Sequence, residues 1–191
     1  PLTDDFKNLL NDFSDIKLIA KNWEITQNII NLQKKIKFFK THHVLCEVNK
    51  NYFTNYNNSL GVIYIVRDPR NVITSLLHHY SLKNYDNALK FLFDEHRFSG
   101  KFDKKENYQR RTEFPTYISS WKNHYNAWKN FKKNFLLIKY EDLIKDRDFT
   151  FRKILKFIYK LQGAKFKIDQ KKFQNTIETT DFDRMRSLEK E

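Results

Sequence analysis

Apolar positions along this chain follow two rhythms, and the places where one gives way to the other outline its elements. Behind Thr3, Asp4 and Asp5, the residues Phe6, Leu9, Leu10 and Phe13 share one helical face, which predicts a helix starting at Thr3. Ser14 and Asp15 open a second helix that carries Ile16, Ile19, Trp23 and Ile30. The helical interval then stops. Ile36-Lys37-Phe38-Phe39 is short, apolar and rich in β-formers, so it reads as a buried strand ending in Lys40-Thr41-His42-His43. An Asn-rich stretch over 49–59 reads as loop. Val62-Ile63-Tyr64-Ile65-Val66 follows without polar alternation, the pattern of a parallel strand covered on both faces.

Arg67-Asp68-Pro69-Arg70 ends that strand. Asp68 suits an N-cap and Pro69 the first helical position, where a missing N–H costs nothing. The helix continues through Val72, Ile73, Leu76, Leu77 and Tyr80, and a weaker one is expected from Asp86 to Phe98. The charged stretch 99–112 is expected to be mobile. Pro115 is expected to open a helix whose Trp121, Tyr125 and Trp128 form a core stripe. Phe135-Leu136-Leu137-Ile138 reads as a third strand, ending at Tyr140-Glu141-Asp142. Phe151, Ile154, Leu155, Ile158 and Leu161 mark a long amphipathic helix that closes at Gly163. Strands alternating with helices predict an α/β fold, with the strands at 36–39, 62–66 and 135–139 parallel neighbours and helices on both faces. The 191 residues suit one domain.

Composition changes the picture in three ways. Charged residues make up 31%, but 40% hydrophobic and 16% aromatic residues exclude a disordered tail. The net charge of +13 invites an anionic partner, although the lysines are dispersed and also serve solubility. Cys46 is the single cysteine, so no internal disulfide exists, which points to a reducing compartment and a cytoplasmic location. No apolar run is long enough to span a bilayer, and no leader pattern opens the chain. No Cys/His cluster has the spacing of metal ligands.

The chemistry gathers at strand ends. In open parallel sheets ligands bind beyond the carboxyl ends of strands, and all three expected strands end in polar residues. Arg67 leaves the second strand, and Ser75 follows eight residues later in the next helix. A guanidinium and a hydroxyl near a helix N-terminus supply the donors and the dipole a phosphate needs.

At these residues the chain resembles the sulfotransferases that use 3′-phosphoadenosine 5′-phosphosulfate (PAPS). Tyr64 through Ser75 (YIVRDPRNVITS) is similar to their 3′-phosphate-binding segment. Lys40-Thr41-His42 resembles the element carrying their catalytic base, and Trp121-Lys122-Asn123-His124 through Trp128 the helix before their third strand. Leu137 through Leu143 resembles a Tyr-Glu-Asp strand end, and Thr180 through Met185 the segment that frames adenine. The resemblance implies a P-loop-like α/β fold and transfer of a sulfo group from PAPS to an acceptor hydroxyl or amine, without a metal. Arg67 and Ser75 would bind the 3′-phosphate, Thr180 and Phe182 the adenine, and Tyr140 would lie near the nucleotide. His42 would deprotonate the acceptor, and Lys40 would offset charge on the sulfo group. On a strand Lys40 and His42 would share a face while Thr41 points away, and His43 would face elsewhere.

The chain also departs from that pattern. The family's first strand and Gly-containing 5′-phosphosulfate loop have no counterpart, since the first glycine is Gly61, and the C-terminal Arg-Lys-Gly segment is missing. The expectation is therefore a partial domain over 1–191, incomplete at both ends. Two alternatives stand beside it. A P-loop kinase would need a Gly-x-x-x-x-Gly-Lys-Ser/Thr loop, which is not seen. A basic nucleic-acid module would need a concentrated basic stripe, whereas the aromatics here fall at core spacings; nucleic acid is therefore not expected as a partner. The acceptor and the oligomeric state are not encoded in any motif. His78, His79, His96 and His124 read as surface or packing residues, Glu141 and Asp142 as structural carboxylates, and Cys46 as inert.

Overall fold

The structure, a computed structural model, describes residues 16–99, 116–132 and 134–188. The expected helix from Thr3 and most of the stretch 99–112 lie outside the described residues. The chain divides into two compact units, Pro1–Leu60 with Pro69–Lys133, and Gly61–Asp68 with Asn134–Glu191.

In the first unit, helix α1 (Ile16–Asn31) half-buries the expected stripe of Ile16, Ile19, Trp23 and Ile30 and fully buries Ala20. Gln27 ties it to the following loop: its amide donates to the Phe53 carbonyl at 2.6 Å, and its Oε1 accepts from Thr54 Oγ1 at 2.6 Å. A short hairpin, β1 (Glu47–Val48) with β2 (Asn51–Tyr52), lies where sequence suggested loop from residue 49 onward. Asn49 and Lys50, both at positive φ, make its turn.

The expected strand at 36–39 does not form. Residues 34–46 belong to no helix or strand, and Ile36, Phe38 and Phe39 are 47%, 69% and 70% exposed. β-propensity creates no strand without a partner to pair the backbone, and no described segment pairs with this one.

Helix α2 (Pro69–His79) begins at Pro69 as expected. Helix α3 spans Tyr85–Phe93, shorter than the sequence suggested. Asn84 caps it by accepting from the Asn87 N–H, and Phe98–Ser99 instead forms β4, antiparallel to β5 (Thr116–Tyr117). Helix α4 (Trp121–Lys129) therefore starts later than Pro115 implied: Thr116 and Tyr117 are used as strand, and Ser120 caps the helix through the Asn123 N–H. The core is aromatic, with Trp128 and Phe131 each 4% exposed, and Phe53 edge-on to Trp128.

In the second unit, β3 (Val62–Val66) and β6 (Phe135–Lys139) form the expected parallel pair, in the register Val62 to Phe135 through Val66 to Lys139. Parallel strands require a long crossover, here residues 67–134. Gly61 permits a tight start. A Cβ there would meet Leu161 Cδ1 at 2.6 Å and the Asn134 carbonyl oxygen at 2.8 Å. Tyr140, Glu141 and Asp142 begin the short helix α5 (Tyr140–Lys145) directly after β6.

Helix α6 (Arg147–Leu161) is capped by Asp146 and ends as its sequence requires. Gly163 has φ +63, its N–H bonds the Lys160 carbonyl, and the Ala164 N–H reaches back to Tyr159, a Schellman closure. Helices α7 (Gln170–Thr179) and α8 (Phe182–Leu188) complete the described chain. The architecture is α/β with a parallel sheet. Within the described residues that sheet has two strands, not three. No described helix is long and apolar enough to cross a membrane.

Candidate functional site

Register builds the first part of the site. Because Val66 lies opposite Lys139, the next residues out of the sheet, Arg67 and Asp68, come level with Tyr140 and Glu141. The Arg67 guanidinium accordingly sits over the Tyr140 ring, 4.8 Å from its centroid, and the Asp68 N–H donates to Glu141 Oε1 at 3.1 Å. Tyr140 thus holds the plane of the guanidinium by a cation–π contact, and Glu141 ties the two strand ends together. Arg67 Nε is buried and has no hydrogen-bond partner among the described residues. A buried cationic donor left open in this way is suited to an anion.

The segment carrying Thr180 is organised by a residue that sequence reading missed. Arg147 reaches across from the start of α6, donating to the Ile177 carbonyl at 3.0 Å and pairing with Asp181 Oδ2 at 3.0 Å. This fork fixes the turn between α7 and α8. An arginine in the first turn of a helix opposes the dipole, so nothing local marks it as useful; its worth is tertiary. Thr180 closes α7, with its hydroxyl donating to the Thr176 carbonyl at 2.7 Å. Phe182 begins α8.

The first unit holds Ser75, Lys40 and His42. Ser75 is exposed in the second turn of α2. Lys40, Thr41 and His42 are exposed and His43 is buried, so the two histidines do face different environments. The strand alternation expected to separate them is absent, and packing does it instead. The His43 ring stacks on Phe53 (4.2 Å between centroids, 4° between planes) and meets the edge of Trp23 at 4.9 Å. Its Nδ1 donates to the Val44 carbonyl at 2.7 Å, and burial pushes its pKa down to about 4. That ring stays neutral and enclosed, whereas His42 is exposed.

His124 and Trp128, read in the sequence as packing and core residues, contact this segment. His124 Nε2 lies 3.3 Å from the His42 carbonyl, and Trp128 Nε1 donates to the His43 carbonyl at 3.0 Å. Burial lowers the His124 pKa, so its neutral ring is the donor. Spacing of four on one helix was the only available signal, and it reads equally as core packing. Cys46 is half-buried and its thiol is pushed up to about 11 by burial, which makes it a poor nucleophile. The described residues contain no cluster of three or more potential metal ligands.

Compared with known proteins, residues 4–191 match the family described as "Sulfotransferase domain". The chain belongs to the sulfotransferase family. A curated relative, sulfotransferase 2A1 of Macaca fascicularis, is 27% identical over 143 residues, covering 72% of this chain and 44% of its own length. The crystal structure of mouse sulfotransferase SULT7A1 complexed with PAP aligns with a TM-score of 0.45 at 23% identity, over 66% of this chain and 40% of that one. The sulfotransferase chain described here therefore spans less than half the length of either relative.

Proposed function

We propose that the protein containing this chain transfers a sulfo group from PAPS to an acceptor hydroxyl or amine. Family membership supports this reaction class over the kinase and nucleic-acid alternatives. The observation that carries the donor assignment is Arg67: a cationic fork at the carboxyl end of a parallel strand, held on Tyr140, with its buried Nε open. In this reading Arg67 and Ser75 hold the 3′-phosphate. Thr180 and Phe182 take the adenine, and Tyr140 serves the nucleotide by orienting Arg67.

His42 is the general base. An exposed imidazole beside a neutral, buried neighbour can accept the acceptor's proton as the oxygen or nitrogen attacks sulfur in line. Lys40 offsets the charge that develops on the sulfo group and the bridging oxygen. The S–O bond to the phosphate breaks as the new bond forms, and adenosine 3′,5′-bisphosphate leaves. None of these steps calls for a metal, and a cytoplasmic site of action fits the single cysteine.

Thermal denaturation of the full-length protein tests the donor class. Adenosine 3′,5′-bisphosphate should raise the melting temperature, whereas ATP and an oligonucleotide should not. Stabilisation by ATP alone would return the kinase reading.

A further inference from the structure

The segment 41–44 lies in no strand, yet its backbone is held at consecutive points. The His43 N–H donates to Thr41 Oγ1 at 3.0 Å, the Val44 N–H donates to the Tyr117 carbonyl at 2.8 Å, and the Val44 carbonyl receives His43 Nδ1. Two further bonds come from one helix. His124 Nε2 meets the His42 carbonyl and Trp128 Nε1 the His43 carbonyl, from positions one turn apart on α4. Consecutive carbonyls of an extended chain point in roughly opposite directions, so a single helix rarely reaches both. Here both are reached from α4, on either side of the His43 ring, which stacks on Phe53 and meets the edge of Trp23.

The Ser120 cap fixes the start of α4, and Trp128 is buried at its other end, so the two donors keep a fixed spacing. The exposed His42 side chain consequently projects from a peptide that cannot rotate freely. A functional side chain needs this kind of support, because an imidazole on a mobile loop spends most of its time away from the reacting geometry.

We propose that His124 and Trp128 are positioning residues: together they clamp the His42–His43 peptides and so aim the His42 imidazole. The inference rests on the reading of His42 as the base. Neither residue touches the reacting atoms; both act through backbone carbonyls. Trp128 supplies rigidity from the core, and His124 supplies the bond nearest the base.

The test uses uniformly ¹⁵N-labelled full-length protein and follows the His42 ring signals and the His43 and Val44 amides by NMR. His124→Leu and Trp128→Phe remove one donor each while keeping bulk. Each should broaden or double the His42 ring signals and speed exchange of those amides by about tenfold, the scale of one lost hydrogen bond. His124→Gln, whose side-chain amide can replace the Nε2–H, should restore both readouts. A general packing defect would not be rescued in this way. His42 signals and amide exchange that stay at wild-type values in both deletion variants overturn the clamp, as does a Gln variant that behaves like Leu. His42→Ala, assayed for turnover of PAPS with 4-nitrophenol, tests the other reading separately. Wild-type turnover there removes His42 as the base but leaves the clamp result unaffected.

Discussion

Two stretches of this chain look alike in sequence and end differently. Ile36–Phe39 and Val62–Val66 are both short, apolar and β-prone, and both run into cationic residues, Lys40-Thr41-His42 and Arg67-Asp68. The second became a strand because Phe135–Lys139 pairs with it residue for residue. The first pairs with nothing described and leaves its phenylalanines exposed. The lesson concerns what places a candidate functional side chain. Arg67 is placed by a ladder, through a register that carries it onto Tyr140. His42 is placed by side chains from elsewhere in its unit, through bonds to single carbonyls. A ladder can be read from apolar runs, whereas a set of isolated tertiary bonds cannot.

The largest expected effect lies in the irregular stretch. His42→Ala should lower sulfo-transfer turnover by roughly a hundred- to ten-thousand-fold, the range for loss of a general base. Affinity for adenosine 3′,5′-bisphosphate, measured by calorimetry, should stay near wild type. Loss of nucleotide affinity without loss of turnover would break the division of labour between the two stretches.

Next comes acid sensitivity from His43. Its pKa is near 6.5 unfolded and about 4 folded, so the unfolded chain binds more protons between those values. Stability from this group is fully present above pH 6.5 and is lost as pH falls toward 4, on the order of 3 kcal/mol in total. Urea unfolding at pH 7 and pH 4.5 should show it, and His43→Phe should flatten the dependence. An unchanged slope in that variant would mean that His43 is not the buried neutral ring described.

Arg67→Ala tests the ladder-placed side. Binding of adenosine 3′,5′-bisphosphate should weaken by about 1.5–3 kcal/mol, the scale of hydrogen bonds to a charged group. Turnover at saturating PAPS should change much less. Calorimetry at low salt with unchanged affinity would remove Arg67 from the anion site.

The smallest effect is the sharpest test of the comparison itself. Phe38→Ser and Phe39→Ser replace side chains that are 69% and 70% exposed, so each should alter stability by no more than about 0.5 kcal/mol. A buried strand would instead lose several kcal/mol on losing a phenylalanine. A large loss in denaturant midpoint for either variant would restore the strand that the sequence suggested.

The amino-acid order by itself determined what depends on near neighbours. The apolar run of β3 and β6, Pro69 at a helix start, Gly163 at a helix end and the amphipathic face of α6 are local patterns, and each is found where it was expected. The motif around Arg67 was legible for the same reason, since a strand, a cationic exit and a helix follow one another without interruption. Tertiary structure alone decided the rest. Whether Ile36–Phe39 becomes a strand depends on a partner far away in sequence. Whether Thr116–Tyr117 extends a helix or joins β4 depends on Phe98–Ser99. His42 is exposed and His43 enclosed because Trp23 and Phe53, twenty residues before and ten after His43, meet around one ring and not the other. Burial and backbone hydrogen bonding are properties of what surrounds a residue, and for these residues the surroundings are assembled from distant parts of the chain.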